Sequence, residues 1–313
     1  MSAAYPAFII YRPNLKEMTN DICCIGHITH DRVITPAKSV EMAGGTAFYF
    51  AWAISRLTPA PTFSLVTKVG SESLPEVERM RRAGIDVTCH RCAQSVFFEN
   101  KYGHDPNDRT QRVLALAEPF APSEVSQLQA RVFHLGTLLA DDFPIETVEA
   151  LAERGRVSID VQGYLRRIEG QRIVPTEWHD KARVLGMTHV LKVNEMEMQV
   201  VTGLTDPRQA ARMIASYGVS EVLVTLGSYG SLIYADGTYY DIPAYRPRQV
   251  TDATGCGDTY TAAYLYGRTQ GMGYAEAGRM AAAMCTLKLE HSGPFDGCME
   301  DIYSIIHNAN RLV

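Results

Sequence analysis

Short apolar runs alternate with amphipathic segments along most of the chain, and many of the apolar runs end in glycine or a polar residue. Residues 22–25 are apolar and lead into Gly26, and residues 190–193 are mostly apolar and lead into Asn194. Apolar runs of this length are typical of strands that are buried on both faces of a parallel sheet. The pattern therefore predicts an α/β fold in which strands and helices alternate.

The predicted elements follow each other regularly once the hairpin described below is set aside. Helical periodicity and start and stop signals predict helices over residues 47–57, 74–83, 123–130, 145–154, 178–185, 195–201, 206–217 and 274–290. Runs with strand character cover residues 22–25, 63–70, 86–89, 132–136, 157–160, 190–194, 221–226, 231–234 and 238–242. No linker, repeat or low-complexity tract interrupts this order, which predicts a single domain over 1–313.

The regular alternation changes in one place. Residues 95–102 and 109–116 are two strand-like runs around the polar segment 103–108, which predicts a hairpin with a long tip. An extra hairpin attached to an α/β sheet is a candidate lid over a site. A plain edge hairpin without that role is the alternative.

Polar and glycine residues lie at the ends of several predicted strands. Because the carboxyl ends of parallel strands meet at one edge of a sheet, a single crevice is expected there. The residues expected at this edge are Gly26, Asp31, Gly136, Thr137, Asp160 and Asn194.

The segment 251–260 combines a glycine turn with a carboxylate at the start of a helix. Gly255 and Gly257 flank Cys256, and a helical pattern begins at Asp258. Unpaired backbone N–H groups at a helix N-terminus bind anions, because the dipole places about half a positive charge there. A carboxylate beside an anion site is unfavourable unless it has a task such as removing a proton from a nucleophile. A helix-capping Asp is the equally weighted alternative.

Three further motifs carry candidate chemistry, each beside a structural alternative. Gly44 and Gly45 precede a helix and permit close approach of a ligand, although a tight turn explains them as well. Glu197 lies one turn after Asn194, where a carboxylate holds hydrated Mg²⁺ through water or simply complements the helix dipole. The Gly-x-x-Gly turn ending at Gly230 is compatible with the edge of a nucleotide site but is common elsewhere.

Composition and charge exclude several classes of function. The chain of 313 residues has 46% hydrophobic and 21% charged residues, as soluble globular proteins do, and a net charge of -5. This charge argues against nucleic acid and anionic membranes as partners. Residues 7–11 are too short for a signal-peptide core, and the seven cysteines suggest reduced thiols. We therefore expect a cytoplasmic protein that binds neither membranes nor nucleic acid.

Taken together, these motifs resemble the PfkB carbohydrate kinase family over nearly the whole chain. The most specific match is the signature Asp-Ala-Thr-Gly-Cys-Gly-Asp-Thr-Tyr at residues 252–260; the Gly44-Gly45 element, the Asn194-x-x-Glu197 pair and the turn ending at Gly230 fall in the family's order. The resemblance implies a ribokinase-like three-layer αβα sandwich with a mostly parallel sheet and a small β lid. Lid strands are expected from about 31–46 and 95–117.

The resemblance also implies a role for each matching residue. Asp258 is the catalytic general base, and the backbone N–H groups of Gly255, Cys256 and Gly257 form the anion hole for the transferring phosphoryl group. The implied ligand sites are Asp31, Gly44 and Gly45 for the substrate; Asn194, Thr225, Gly227 and Gly230 for the nucleotide; and Asn194 with Glu197, acting through water, for Mg²⁺.

The implied activity is ATP-dependent phosphorylation of a hydroxyl on a small sugar, polyol or inositol, with Mg²⁺ and, in some members, a monovalent cation such as K⁺. The lid is a candidate homodimer surface through Phe97, Phe98 and Tyr102. Asp108-Arg109 and residues 293–295 resemble the inositol kinase branch. A nucleoside kinase and a catalytically silent sugar- or nucleotide-binding regulator are the alternatives.

Two positions depart from the family pattern. Tyr49 replaces the usual Asn of the N-terminal signature, and residues 70–73 lack the usual Asp and second Gly. Both departures concern contacts to the sugar. No Gly-x-x-x-x-Gly-Lys-Ser/Thr motif occurs, so the sequence excludes a P-loop enzyme.

Overall fold

The computed structural model describes residues 20–36, 38–102 and 109–309. Fifteen strands are described there: β1 Asn20–Gly26, β2 Thr29–Ile34, β3 Ser39–Gly44, β4 Phe63–Val69, β5 Asp86–Arg91, β6 Phe97–Tyr102, β7 Arg109–Ala115, β8 Ala130–Gly136, β9 Arg156–Asp160, β10 Arg166–Glu169, β11 Arg172–Pro175, β12 Thr188–Asn194, β13 Glu221–Thr225, β14 Ser231–Ala235 and β15 Thr238–Ile242.

Ten α-helices are described in the same ranges. They are α1 Thr46–Ile54, α2 Leu74–Arg82, α3 Pro122–Val125, α4 Ile145–Ala152, α5 Lys181–Met187, α6 Glu195–Thr202, α7 Pro207–Ser216, α8 Cys256–Thr269, α9 Tyr274–Leu289 and α10 Met299–Ala309. None of these helices is both long and apolar enough to cross a bilayer.

The larger sheet has nine strands in the order β15-β14-β13-β12-β9-β8-β1-β4-β5. The seven strands from β13 to β5 are mutually parallel, and β14 and β15 extend one edge antiparallel. Each parallel connection returns through a helix, as the alternating sequence pattern predicts.

Helices cover both faces of this sheet because its central strands are apolar on both sides. In β1, Cys24 packs in the cluster with helices α1, α2, α8, α9 and α10, while Cys23 and Ile25 pack in the cluster with α3 to α7. Gly26 and Gly136 bring α1 close to the sheet: an added Cβ at Gly26 would lie 3.1 Å from the Ala47 Cβ. The predicted three-layer αβα architecture is confirmed.

The smaller sheet, which we call the lid, has six strands in the order β10-β11-β7-β6-β2-β3. Its six strands form two antiparallel groups, β10-β11-β7-β6 and β2-β3, and the groups are joined by the parallel pair of β2 and β6. Strand β2 begins three residues after β1 ends, so the lid continues directly from the centre of the larger sheet. The hairpin tip 103–108 lies outside the described residues.

Several boundaries differ from the sequence prediction. The helix predicted over 123–130 is only one turn, because Ala130 pairs with Asn20 as the first residue of β8. Strands β10 and β11 and helix α10 were missed. The helix predicted from residue 178 begins at Lys181 instead.

Candidate active site

Helix α8 begins at a glycine turn whose first residue has a left-handed backbone. Gly255 has φ 79°, and a side chain at this position would overlap the ring of Tyr49. The Cys256 N–H donates to the Ala253 carbonyl at 3.2 Å and so closes the turn. Gly257 follows in the first turn of the helix, where backbone N–H groups have no intrahelical acceptor. The turn therefore presents backbone donors at the positive end of α8.

The Asp258 carboxylate lies in that first turn, half-buried beside the start of α1. The Thr46 hydroxyl donates a hydrogen bond to it. Burial is the main cause that raises the pKa of Asp258 to about 8, the charge of Asp160 adds to the rise, and Lys192 and Thr46 oppose it. A carboxylate with a raised pKa is a stronger base, so this group can accept a proton from a hydroxyl brought into contact with it.

A buried ammonium group lies directly beneath the turn. Lys192 on β12 is 5% exposed, and its Nζ lies 3.0 Å from Asp160 Oδ2 and 3.9 Å from Glu197 Oε2. An added Cβ on Gly257 would be 2.9 Å from the same Nζ. Burial opposes the charge, but Asp160 and Glu197 together raise the pKa of Lys192. The ammonium is therefore positively charged and forms ion pairs with the two carboxylates of Asp160 and Glu197.

The sequence analysis assigned no role to Lys192 or Thr46. It expected Asp160 at the carboxyl edge of the sheet, because Asp160 ends a predicted strand, but assigned it no chemical role. The signal for Lys192 was present, since a lysine within the apolar run 190–193 is unusual for a buried strand. Its partner Asp160 is on the adjacent strand β9, in register with Lys192 itself. Because Lys192 and Asp160 are 32 residues apart, no local sequence pattern indicates that they form a pair.

The residues expected on the substrate side lie where the lid meets the larger sheet. Asp31 is on β2, and an added Cβ on Gly44 would lie 2.5 Å from Asp31 Oδ2. Gly45, with φ 89°, then leads into α1 and Thr46. Gly44 thus lies beside Asp31, and two residues later Thr46 contacts Asp258, so the short segment 44–46 lies between the two carboxylates. Asp31 lies on a lid strand that begins three residues after the carboxyl end of β1, where the lid meets the larger sheet.

The residues expected on the nucleotide side end two adjacent strands. Asn194 of β12 and Thr225 of β13 are register partners, and the turn with Gly227 (φ 55°) and Gly230 (φ 95°) follows β13. Just after this turn, Ser231 Oγ bonds to the Tyr260 hydroxyl of α8 at 2.7 Å. This bond links the turn to the same helix that carries Asp258.

Asn194 and Glu197 form a capping box at the start of α6. The Asn194 N–H donates to Glu197 Oε2 at 2.8 Å, and the Glu197 N–H donates to Asn194 Oδ1 at 2.9 Å. Burial raises the pKa of Glu197, and Lys192 opposes the rise. Over 20–36, 38–102 and 109–309, no cluster of three or more His, Cys, Asp and Glu is placed to hold a metal ion.

Comparison with known proteins gives one family match. Residues 19–301 match the family model described as pfkB family carbohydrate kinase. A cytidine kinase from Thermococcus kodakarensis is 27% identical over 278 residues, which cover 83% of this chain and 92% of that protein.

Solved structures with similar folds belong to the same group of enzymes. A pyrophosphate-dependent kinase of the ribokinase family, complexed with a pyrophosphate analogue and myo-inositol, superposes with a TM-score of 0.81 at 28% identity, covering 91% of this chain and 100% of the other. The ribokinase of Arabidopsis thaliana, complexed with ribose and ATP, superposes with a TM-score of 0.75 at 20% identity, covering 92% and 99%.

Proposed function

The chain belongs to the pfkB family of carbohydrate kinases, and on this premise we propose that it transfers a phosphoryl group to a hydroxyl of a small polyol, sugar or inositol. That the chain is a kinase follows from the family. The identity of the acceptor, the donor and the role of each residue are our proposal. The myo-inositol bound to a similar enzyme supports a cyclic polyol as the acceptor.

The observation that carries the proposal is the position of Asp258. This carboxylate shares the first turn of α8 with the donors of the glycine turn, is held by Thr46, and has a pKa raised by burial. A base next to an anion site is the arrangement that phosphoryl transfer from a donor to a hydroxyl requires. A helix-capping Asp explains neither the burial nor the bond to Thr46.

In the proposed reaction, Asp31 and the Gly44-Gly45 segment hold the acceptor so that one hydroxyl contacts Asp258. Asp258 accepts the hydroxyl proton as the oxygen attacks the phosphorus of the donor. The bond between that phosphorus and the leaving group breaks, and the Gly255–Gly257 turn stabilises charge on the transferring group. Lys192 keeps Asp160 and Gly257 in position beneath the reacting atoms.

The side chains present fit Mg²⁺ that is carried mainly by the donor. Mg²⁺ usually keeps several waters and binds one or two carboxylates together with phosphates, so the lack of a three-ligand cluster among the described residues is compatible with it. Glu197 and Asn194 would hold the ion through water, and the bound ion would neutralise charge on the donor. Binding of a monovalent cation such as K⁺, which the family resemblance implies, stays a prediction.

ATP is the donor that we propose first, with Asn194, Thr225, Gly227 and Gly230 along its site. The ATP bound to a ribokinase of this fold supports it. Pyrophosphate is the second candidate, because a pyrophosphate-dependent kinase is 28% identical to this chain. Both donors place a phosphoryl group at the same turn and require the same base.

Two alternatives to a polyol kinase are compared, and a specific observation favours the first. The similarity to a cytidine kinase favours a nucleoside as acceptor. A catalytically silent sugar- or nucleotide-binding regulator would use the same pockets without transfer, but it gives no reason for a carboxylate, Asp258, beside the anion site.

A homodimer formed through the lid also stays a prediction.

The test is a ³¹P NMR assay of the purified protein with Mg²⁺, ATP or pyrophosphate, and separate panels of inositols, pentoses, hexoses and nucleosides. A new phosphomonoester signal with a polyol or sugar, absent in Asp258→Asn, is the expected result. Transfer only to nucleosides would replace the proposed acceptor. Ligand-induced thermal stabilisation without transfer from either donor would favour the regulator.

A further inference from the structure

We propose that the Lys288 ammonium is a built-in cation: it supplies, behind the glycine turn, the positive charge that a monovalent metal ion would otherwise supply, so that phosphoryl transfer by this chain requires no K⁺. The family resemblance implies such an ion in some members, and the residues at this place do not fit one. The inference rests on the proposed function, since it concerns the anion site of the same reaction.

Lys288 lies in the last turn of α9, and its side chain is completely buried. Its Nζ donates to the backbone carbonyl of Asp252 at 3.0 Å and to that of His291 at 3.2 Å, and it lies 3.6 Å from Asp252 Oδ2. An ammonium group has three donors and is costly to bury unless oxygen atoms face them. The three oxygens therefore compensate the burial of this charge.

The oxygens around Nζ are of the kind that bind a cation. Carbonyl and carboxylate oxygens are good ligands for a bare cation such as K⁺, because they replace its hydration shell. A K⁺ ion at this place would use the same oxygens, but the Lys288 Nζ already lies among them. The ion would also be repelled by the ammonium, with little solvent to screen the two charges. The side chain therefore excludes the ion.

The ammonium is connected to the glycine turn through Asp252. Asp252 Oδ1 accepts the Thr254 N–H at 2.9 Å, and Thr254 directly precedes Gly255. The charge also acts on the turn itself: burial raises the pKa of the Cys256 thiol to about 11, and Lys288 opposes that rise. Lys288 therefore positions the segment that leads into the turn and adds positive potential there.

Asp252 gives the reason for a cation at this place. Its carboxylate, three residues before Gly255, is close to the proposed anion site and would repel the phosphates of a donor unless a counter-charge neutralised it. A lysine that only caps its own helix would bond to carbonyls of α9. Lys288 bonds instead to Asp252, which is 36 positions away, and to His291, which lies beyond the end of the helix.

The experiment measures kinetics and thermal melting of the full chain in choline chloride, KCl and NH₄Cl at equal ionic strength, with Mg²⁺ and with the donor as its Tris salt. Lys288→Ala removes the ammonium and leaves space for an ion, whereas Lys288→Met fills the space without a charge. Lys68→Ala is the matched control, because Lys68 is also buried and also donates to a carbonyl and a carboxylate, those of Pro119 and Glu124.

The wild type should have the same kcat, within about twofold, in all three salts, because equal ionic strength gives equal screening. In choline chloride, Lys288→Ala should lose about 10²-fold in kcat, since a displacement of roughly 1 Å costs that much. Saturating K⁺ or NH₄⁺ should restore most of this loss and raise the melting temperature of the variant, as a ligand that binds only the folded state does.

The other two variants separate charge from packing. Lys288→Met should keep its loss of kcat in every salt, because its side chain fills the space that an ion would need. The kcat of Lys68→Ala should not depend on the salt, although its melting temperature should fall.

Two results would overturn the inference. A wild type that is active only with K⁺ would show that the ammonium does not replace the ion, and this comparison holds even if Lys288→Ala fails to fold. A folded Lys288→Ala whose kcat and melting temperature do not respond to K⁺ or NH₄⁺ would give Lys288 a purely structural role and leave the proposed function intact.

A wild type that transfers no phosphate would instead remove the proposed function. The melting temperature of Lys288→Ala in the three salts would then still decide whether an ion can replace the ammonium.

Discussion

Charged side chains are arranged differently at the edge of the larger sheet and in the lid. At the sheet edge, Lys192 is buried near Asp160, Glu197 and Asp258, and the charge of Asp160 raises the pKa of both Lys192 and Asp258. On the outer face of the lid, partly exposed basic side chains form the ion pairs: Arg112 and Arg32 pair with Glu99, which is buried, and Arg32 and His30 pair with Glu41, which is exposed.

The difference separates two tasks. Buried charges interact strongly because solvent screens them little, so the sheet edge can tune a base. Exposed ion pairs add little energy and serve mainly to connect neighbouring strands. We infer that the sheet edge performs the chemistry and that the lid recognises the acceptor. The predictions below test this division of labour, starting from the strongest effect.

Replacing Asp258 by Asn should reduce kcat by about 10²- to 10⁴-fold, the usual contribution of a general base. The amide has the size of the carboxylate but cannot accept the proton, and it still presents an oxygen to the Thr46 hydroxyl. Binding of donor and acceptor, measured by calorimetry, should stay close to that of the wild type. Unchanged turnover would remove Asp258 from its role.

Replacing Lys192 by Met should lower kcat/KM at neutral pH and also lower the melting temperature. Removing one partner of a buried ion pair typically costs about 3–5 kcal/mol, because Asp160 then lacks its counter-charge. Since Lys192 lowers the pKa of Asp258, its loss raises that pKa, and the acidic limb of the rate profile should move to higher pH. Lys101→Met, at an exposed lid position, is the control.

Movement of that limb to lower pH, or no movement in a folded Lys192→Met variant, would contradict the electrostatic role of Lys192. A lower melting temperature alone would leave Lys192 with a purely structural role.

Replacing Gly255 by Ala should reduce kcat, because the new methyl group overlaps the Tyr49 ring and displaces the turn. Gly271→Ala is a matched control: Gly271 also has positive φ (85°), but its added Cβ meets no atom within 4 Å among the described residues. The control carries a similar backbone strain, roughly 1–2 kcal/mol for an alanine in the left-handed region. Equal losses of kcat in both variants would show that backbone strain, and not displacement of the turn, reduces kcat.

Replacing Arg112 by Met should leave kcat within about twofold of the wild type and lower the melting temperature slightly, as loss of a partly exposed ion pair does. Glu99 retains Arg32 as a partner. Steady-state kinetics and thermal melting check both expectations. A large loss of kcat would mean that the outer face of the lid takes part in catalysis, and the two regions would not be separate.

Local sequence patterns were sufficient to predict the alternation of strands and helices and the motifs of the candidate site. The glycine turn, the apolar strands and the helix starts are each formed by consecutive residues, so the alternating α/β fold and the position of Asp258 at a helix N-terminus followed from local patterns. The three-layer αβα arrangement was expected from the family resemblance. The lid was predicted only in part, because residues 166–175 are rich in charge and their strand pairing with β7 joins segments about 60 residues apart.

Long-range pairing also explains what was missed in the site. The bond between Lys192 and Asp160 spans 32 positions, and the contact of Thr46 with Asp258 joins the first helix to the eighth. Asn194 and Glu197, by contrast, are only three residues apart, so the sequence could indicate their pairing. They cap the start of α6, and their role toward Mg²⁺ is a proposal.

The most direct test of the account is the pH dependence of kcat/KM for the wild type and for Asp258→Asn with one acceptor and one donor. This parameter reports ionisations of the free enzyme. The wild-type value should rise with pH through a single group whose pKa is well above that of an ordinary carboxylate, near 8, and the residual activity of the variant should lack this ionisation. The same ionisation in both proteins would contradict the assignment of Asp258 as the base.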